Sequence, residues 1–402
     1  MDQLVLVYSC AAFYFAKGGK ILEGNGIKLA DDIINIGIEL DASDIHLEPT
    51  EKELVIRMRV DGILREIDTV GVSRFALISR IKIMSGLDIA EKRIPQDGRC
   101  EIDYQKRKID LRISCLPTIW GEKIVIRILD KNKNILDIKS LDLSETNLEL
   151  YRSLYTQPHG IILLTGPTGS GKSTTLYATL ADINTVEKNI ITIEDPVEYQ
   201  LPGINQVAVN NKTGLTFANG LRAIVRQDPD VIMVGEIRDK ETASIAVNAA
   251  LTGHLVLSTV HANNAISTLT RLVDMGIERY QLASVLKGSV AQRLVRRLCE
   301  NCRVKRYAKA YELAYLGTEE PLEIYGPTGC KQCCNTGYKG RIAIQEVLRF
   351  DDEIMDAFLG CRNEKELWAM AKRKGTVSMR EDGKEKVLLG LTTVDELLRV
   401  GI

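Results

Sequence analysis

The sequence has no apolar run long enough to cross a membrane, no excess of one charge sign and no basic leader. A membrane-crossing helix needs roughly 18 or more largely apolar residues, and Leu4 to Ala16 stops short of that. That stretch follows an acidic Met1-Asp2 with no small-residue cleavage pattern behind it, so a secretory leader is not expected. It reads instead as a packed or truncated domain remnant, with an interfacial contact and a targeting role as the alternatives. A net charge of -1 gives no general pull toward nucleic acid or anionic membrane, so any anion site must be local. Nine cysteines without a secretory leader argue against a disulfide framework and for reduced thiols in the cytoplasm, some of them on metal.

What is present is an ordinary globular composition, 45% apolar and 27% charged over 402 residues, which predicts two or three domains with a sizeable core. From Ile27 to about Asp130 the pattern is that of a small α/β domain. A helix-like Leu29 to Leu40 leads to Ser43-Asp44-Ile45-His46-Leu47-Glu48-Pro49. The run Glu53 to Val60 then alternates, with Leu54, Ile56, Met58 and Val60 on one face and Arg57 and Arg59 on the other. Two more alternating runs, Ile109 to Cys115 and Ile124 to Ile128, flank a turn with Pro117 and Gly121 and expose Arg112 and Arg127. In a hairpin about Ile119 and Trp120 those arginines lie opposite or diagonal to each other, which is unfavourable unless an anion sits between them. Two solvated arginines are the plainer reading of the strand pattern. Lys131 to Ser144 is polar and reads as a linker. After it, the apolar runs Ile161 to Leu164, Ile190 to Ile193, Val231 to Val234 and Leu255 to Ser258 suit a parallel sheet covered by helices on both faces.

Gly166-Pro167-Thr168-Gly169-Ser170-Gly171-Lys172-Ser173 matches the whole phosphate-loop pattern, follows an apolar strand and opens a helix-like run from Ser173 and Thr174. Glycines let backbone N–H groups wrap the phosphates, and the helix N-terminus adds positive potential. Lys172 then reaches the terminal phosphates and Ser173 ligates Mg²⁺. Val231 to Glu236 reads as the companion strand, but Gly235 stands where a Mg²⁺-binding aspartate is usual. Glu236 is therefore the candidate that orients or deprotonates water, and with Ser173 the candidate Mg²⁺ set. Arg222 and Arg226, four apart, share a face if helical and are either solvated or phosphate-bound.

Cys299-x2-Cys302 and Cys330-x2-Cys333 have the spacing that sets four thiolates about Zn²⁺, with Cys334 a rival for the fourth position. The loop of 27 residues between the pairs promises little core of its own, so metal would supply its folding energy. With four cysteines bound, such a zinc is structural. The basic run Arg293, Arg296, Arg297, Arg303, Lys305 and Arg306 suits a neighbouring subunit or partner protein. A solvated face is the second reading of it. Nucleic acid is disfavoured, because no aromatic stacking platform accompanies the run.

Further stretches resemble signatures of the type II secretion and type IV pilus assembly ATPases, the extension-motor branch of the secretion ATPase superfamily. Ile193-Glu194-Asp195-Pro196-Val197-Glu198-Tyr199 is similar to that family's aspartate box, and Gly253-His254 through His261-Ala262-Asn263 to its histidine box. Ser43 to Pro49 and Ile94 to Arg99 resemble signatures of the domain ahead of the ATPase core, and the likeness spans about Ile27 to Ile402. The resemblance implies that Glu198 joins Glu236 at the γ-phosphate, that His261 senses or positions it, and that Arg112, Arg127, Arg222 and Arg226 surround the nucleotide. It selects Cys333 over Cys334, and it shares Gly235. The implied fold is α/β: a RecA-like P-loop core (149–295) behind a small PAS-like α/β domain (27–132) and a linker (133–148). A zinc subdomain (296–345) and a helical C-terminal part (346–402) follow. Extension motors usually carry a further N-terminal domain that docks an adaptor, whereas 1–26 here is an unmatched tail. The implied function is a hexameric motor, peripheral at the cytoplasmic face of the inner membrane, that hydrolyses Mg²⁺-ATP to assemble a pilus or pseudopilus. A membrane platform protein is the implied partner, with a cytoplasmic adaptor as a further one. Alternatives are a retraction motor, whose relatives lack the CxxC pairs, a DNA-uptake filament motor, a DNA-translocating hexamer and a nucleotide-binding scaffold with little turnover.

Overall fold

The structure, a computed structural model, describes residues 25–71, 74–130 and 137–402. The apolar stretch Leu4 to Ala16 and the first part of the expected linker lie outside them. Among the described residues no helix is long and apolar enough to cross a membrane. The chain forms two units. One comprises residues up to Asn134 together with Arg296–Val304 and Gly326–Gly340, and the other comprises Ile135–Val295, Lys305–Tyr325 and Arg341–Ile402.

In the first unit α1 (Gly26–Glu39) starts where the Asn25 side chain accepts the Lys28 N–H at 3.0 Å, a helix N-cap. There follow β1 (Ala42–Pro49), β2 (Leu54–Val60), β3 (Ile63–Val70), α2 (Arg74–Met84), β4 (Gln96–Tyr104), β5 (Arg107–Thr118) and β6 (Gly121–Asp130). The six strands form one sheet in the order β3-β2-β1-β6-β5-β4, each neighbouring pair antiparallel. The alternation puts Leu54, Ile56, Met58, Ile109, Leu111, Ile113, Ile124 and Ile126 in a core with Leu29 and Ile33 of α1 and Leu77 and Ile81 of α2. The other face carries Arg57, Arg59, Arg112 and Arg127, whereas Glu122 of β6 is buried on the core side and meets Lys82 of α2 at 2.7 Å. Asp61 and Gly62, both at positive φ, make the two-residue β2–β3 turn, the chemistry such a hairpin requires.

In the second unit Ile138 and Leu141 are buried in the core and Ser144 caps α3 (Glu145–Tyr155), so the segment read as linker is built into this unit from Asp137 onward. Two apolar residues three apart in an otherwise polar stretch carry that packing. The elements that follow are β7 (Gly160–Thr165), α4 (Lys172–Ile183), β8 (Ile190–Glu194), β9 (Asn205–Ala208), α5 (Phe217–Ile224), β10 (Val231–Val234), α6 (Lys240–Leu251), β11 (Leu255–Val260), α7 (Ser267–Asp274), α8 (Arg279–Val285) and β12 (Leu286–Leu298). Then come β13 (Val304–Tyr307), α9 (Ala310–Leu316), β14 (Glu323–Gly326), β15 (Tyr338–Arg349), α10 (Asp352–Leu359), α11 (Glu364–Arg373), α12 (Met379–Leu388) and α13 (Val394–Arg399). The seven-stranded sheet runs β15-β12-β7-β11-β10-β8-β9. Its central strands are parallel and buried on both faces, which is why they read as unbroken apolar runs rather than alternating ones. Ile161 and Leu163 face a core with α5, α6 and α7, whereas Ile162 and Leu164 face one with α3 and α4. This is the mixed α/β, RecA-like pattern, followed by a helical C-terminal region.

The insert between the cysteine pairs differs from its expectation. Tyr315 of α9 and Ile324 of β14 are buried with Ile342, Val387 and Leu397, so this stretch shares a core with the C-terminal helices.

Candidate active site and thiol cluster

The phosphate loop links β7 to α4, at the carboxyl end of a central strand, where α/β sheets place ligands. Gly166 sits at φ +148°, and a Cβ there would lie 2.4 Å from the Gln292 carbonyl oxygen, so only glycine fits. Gln292 of β12, 2% exposed, braces the loop. Its side-chain amide donates to the Ser170 carbonyl at 2.6 Å, and its oxygen accepts from the Thr175 hydroxyl at 2.9 Å and from Gln345 Nε2 at 3.0 Å. The Lys172 ammonium spans the loop mouth, donating to the Gly166 and Pro167 carbonyls at 2.8 and 3.0 Å. Burial lowers its pKa, with Glu236 opposing the shift and Arg293 adding to it. Pro167, Thr168, Gly169, Ser173 and Thr174 are exposed along the loop and first helical turn, which leaves the Ser173 hydroxyl accessible to a hydrated metal ion.

Glu236 follows β10 and meets an imidazole and a guanidinium. His261 Nε2 lies 2.9 Å from Oε1, and Arg238 Nε donates to Oε2 at 2.7 Å. The structure thus joins Lys172, Glu236 and His261 in one electrostatic group. It adds Arg238, which sequence reasoning passed over although it stands two residues from the glutamate. Glu198 lies on the loop after β8. Its N–H donates to the Tyr177 hydroxyl at 3.2 Å, and that hydroxyl donates to the buried Glu194 carboxylate. Glu194 also accepts from Thr192 at 2.6 Å and from Gln206 at 3.1 Å. Tyr177, Glu194 and Gln206, none of them among the sequence candidates, thereby fix the loop that carries Glu198. Of the family-derived arginines, Arg222 pairs with Glu241 and Asn219, and Arg226, just past α5, donates to the Arg222 carbonyl at 2.8 Å. Neither hydrogen-bonds the phosphate loop. His254 bonds the Ala249 carbonyl at 2.8 Å and closes a turn after α6.

Arg112 and Arg127 belong to the first unit and face each other directly in the β5–β6 register. The row continues to Arg99 on β4 and to Asp44 and Arg59 on β1 and β2. Asp44 accepts from Arg127 Nε at 3.1 Å and lies 3.7 Å from Arg59. Arg99, Arg112 and Arg127 line a hollow of about 640 Å³. Arg59 and Arg127 share Asp44, and Arg99 lies 3.4 Å from Asp110, so the row is cationic but interleaved with carboxylates.

The Sγ atoms of Cys299, Cys302, Cys330 and Cys333 lie within 4.8 Å of one another. Cys299–Cys330, Cys302–Cys333 and Cys330–Cys333 are separated by 3.9, 3.7 and 3.8 Å. Sulfurs about 2.3 Å from a tetrahedral Zn²⁺ stand roughly 3.8 Å apart, so the donor set fits that ion. The Cys330 and Gly337 N–H groups each donate to Cys333 Sγ at 3.2 Å, and Asn301 donates to Cys330 Sγ at 3.3 Å. The Asn301 amide holds the Cys330 thiol down to about 6. Cys334 packs instead against the first unit's core. The flanking basic run is dispersed. Arg293 bonds the Asn263 carbonyl, Arg296 stacks on Tyr338, Arg297 pairs with Glu300 and Arg306 with Glu312.

A parallel sheet with a phosphate loop at its centre and an acidic residue after the strand two places away defines a P-loop ATPase. Comparison with known proteins narrows this. The model of the type II/IV secretion system protein family matches residues 23–399. The chain is 52% identical over 377 residues to the type II secretion system protein E of Pseudomonas aeruginosa, covering 93% of this chain and 75% of that protein. It is 48% identical over 376 residues to the type IV pilus assembly ATPase PilB of Thermus thermophilus, covering 92% and 42%. Among solved structures, that of the pilus retraction motor PilT with bound ADP superposes with a TM-score of 0.64 at 28% identity, covering 95% of this chain and 97% of that one. The chain belongs to the type II/IV secretion system protein family and is an ATP-hydrolysing motor of a pilus or secretion system.

Proposed function

We propose that this ATPase is an extension motor, working as a ring-shaped hexamer at the cytoplasmic face of the inner membrane to assemble a pilus or pseudopilus. The observation that carries the choice of assembly over retraction is the four-thiol cluster, a feature that the resemblance assigns to extension motors. On this reading Zn²⁺ occupies the cluster and is structural, and the first unit is the PAS-like domain. A membrane platform protein receives the motion, with a cytoplasmic adaptor as a further partner.

In the proposed chemistry the loop amides and Lys172 hold the phosphates, and Ser173 and Glu236 would hold Mg²⁺, which when bound would offset phosphate charge. Glu236, oriented by Arg238 and His261, aligns the attacking water and takes its proton, with Glu198 beside it. Arg112, Arg127, Arg222 and Arg226 supply positive charge to the transferring phosphoryl group. The test is ATP hydrolysis by the purified chain with Mg²⁺, alongside Glu236→Gln and a zinc determination. Turnover that falls about a hundredfold or more in Glu236→Gln, with one zinc per chain and no stimulation by duplex DNA, is the expected result. Equal turnover in both proteins would overturn the role of Glu236, and a zinc-free chain would remove the case for extension.

A further inference from the structure

β15 carries a carboxylate where its pattern calls for an apolar side chain. Within the unbroken buried run Ile342–Leu348 stands Glu346, 4% exposed. A buried carboxylate is costly unless its oxygens are paired, and both of these are. One accepts the Ala265 N–H at 3.0 Å, and the other accepts the N–H of Met379, the first residue of α12, at 3.4 Å. Ala265 lies between His261 and α7, in a segment gripped by side chains from three strands. After leaving β11 that segment meets β7, β12 and β15, the order in which those strands stand in the sheet. The Thr165 hydroxyl at the end of β7 accepts the Ala262 N–H and donates to the Ala262 carbonyl, both at 2.8 Å. From β12, Arg293 donates to the Asn263 carbonyl at 3.1 Å and the Ser289 hydroxyl to the Ala265 carbonyl at 2.8 Å. Glu346 of β15 completes the series. A second carboxylate, that of Glu364 at the start of α11, accepts from the Ser267 hydroxyl at 3.1 Å and the Thr270 hydroxyl at 2.6 Å, both in the first turn of α7.

His261, at the other end of this strap, is exposed and places its Nε2 2.9 Å from Glu236 Oε1. We infer that Glu346 and Glu364 are positioning residues for ATP hydrolysis, which fix the segment from Ala262 to Thr270 and so hold His261 against Glu236. The inference rests on the roles given to Glu236 and His261 above and adds to them two carboxylates from the C-terminal part of the chain. A tilt at one end of a short, stiff segment becomes a displacement at the other, and a displacement of about 1 Å at a reacting group can slow a reaction about a hundredfold. Each carboxylate acts through N–H or hydroxyl groups of the strap, so its loss should lower kcat with little change in KM. Because α11 supplies Glu364 and α12 begins against Glu346, the C-terminal helices bear on Glu236 through the same strap.

The experiment measures steady-state ATP hydrolysis with Mg²⁺ by the full chain and by its Glu346→Met, Glu346→Gln, Glu364→Ala and His261→Ala variants, with a urea midpoint for each. Methionine at 346 removes both acceptors at nearly constant volume, whereas glutamine keeps one for the Ala265 N–H. His261→Ala should itself lower kcat about tenfold or more. Glu346→Met and Glu364→Ala should each lower kcat about tenfold, with KM for ATP within about twofold of the parent's. Glu346→Gln should restore most of the loss. In the His261→Ala background, either substitution should lower kcat by less than about twofold further, because the group it positions is gone. A general loosening of the fold would persist in that background. Parent-like kcat in either folded variant, equal losses in Glu346→Met and Glu346→Gln, or losses that multiply undiminished onto His261→Ala would overturn the inference and leave the role of His261 standing. If Glu346→Met does not fold, Glu364→Ala decides by its kcat in the two backgrounds. Parent-like kcat in His261→Ala would overturn the role of His261 and this inference with it.

Discussion

Replacing Gln292 by methionine keeps the side-chain volume while deleting every hydrogen bond that ties β12 to the phosphate loop. Three partners are stranded in a region that is 2% exposed: the Ser170 carbonyl, the Thr175 hydroxyl and the Gln345 amide. A buried polar group left without its partner costs about 1–3 kcal/mol. Small rotations that re-pair the hydroxyl bring the sum to about 3–5 kcal/mol, a large part of the roughly 5–15 kcal/mol that holds a domain folded. The Ser170 carbonyl is the loop's central tether, so the KM for ATP should rise about tenfold. Gln345→Met is the control. Its amide bonds Gln292 as well, but its own carbonyl oxygen is already buried without a partner, so removing the side chain deletes one bond and one unsatisfied acceptor. That variant should lose about 1 kcal/mol or less and keep the parent's KM. Urea unfolding and steady-state ATP hydrolysis measure both quantities. If Gln292→Met unfolds at the parent's midpoint with the parent's KM, or if the two variants behave alike, the brace is not what shapes the loop.

Arg238→Ala should lower kcat about tenfold with KM nearly unchanged, because the guanidinium 2.7 Å from Glu236 orients a group that acts in the transition state. Arg238→Lys should recover part of the loss, and equal losses in the two variants would point to packing instead. In the chelator-stripped chain, Cys330 should be the first cluster cysteine alkylated near neutral pH, since its thiol is held down to about 6 by the Asn301 amide while burial pushes Cys299 up to about 12. Mass spectrometry against pH should give Cys330 labelling that rises through about pH 6, and Asn301→Ala should move that rise upward. Glu381 caps α12 through the Ser378 N–H and hydroxyl, and the first of these does most to hold its carboxyl down to about 2, from a reference of 4.5. The folded value lies below the unfolded one, so the cap's stabilisation is complete above about pH 4.5 and is lost as pH falls toward 2. Hydrogen exchange in α12 should quicken over that window, and Glu381→Gln should abolish the dependence.

The phosphate loop, its strand and its helix are legible because the motif is contiguous and each residue type answers a local demand. The facing of Arg112 and Arg127 is legible for a similar reason, since a hairpin about Ile119 and Trp120 leaves few registers. The partners of these groups are not. Asp44 reaches Arg127 from 83 residues away and Gln292 reaches Ser170 from 122. Each is a polar residue inside a strand pattern, and periodicity assigns such a residue a face without saying what it meets there. Ile138 and Leu141 are too sparse a signal in a polar segment to announce burial, and Tyr315 and Ile324 bury against strand residues Val295, Ile342 and Ile344 and against C-terminal helices encoded much later in the chain.

The glycine at 235 has a packing reason that bears on how the proposed base is built. Its N–H donates to the Ile193 carbonyl at 2.8 Å, and its carbonyl accepts from the Thr259 hydroxyl at 2.8 Å, so the chain is clamped between the ends of β8 and β11. A Cβ at 235 would stand 3.3 Å from the Ile193 carbonyl oxygen and 3.4 Å from Glu194 Cα, leaving no comfortable path for an aspartate side chain. The acid at the end of β8, Glu194, is buried and committed to Tyr177, Thr192 and Gln206, which excludes it from contact with nucleotide. The carboxylate is therefore delivered one residue later, by Glu236, where His261 and Arg238 each take one of its oxygens. A carboxylate held at both oxygens has little orientation left to lose when nucleotide arrives, which is the form of preorganisation that lowers a barrier rather than tightening binding. On that argument the double variant Arg238→Ala, His261→Ala should lose far less than the product of the single losses, because either one already releases Glu236.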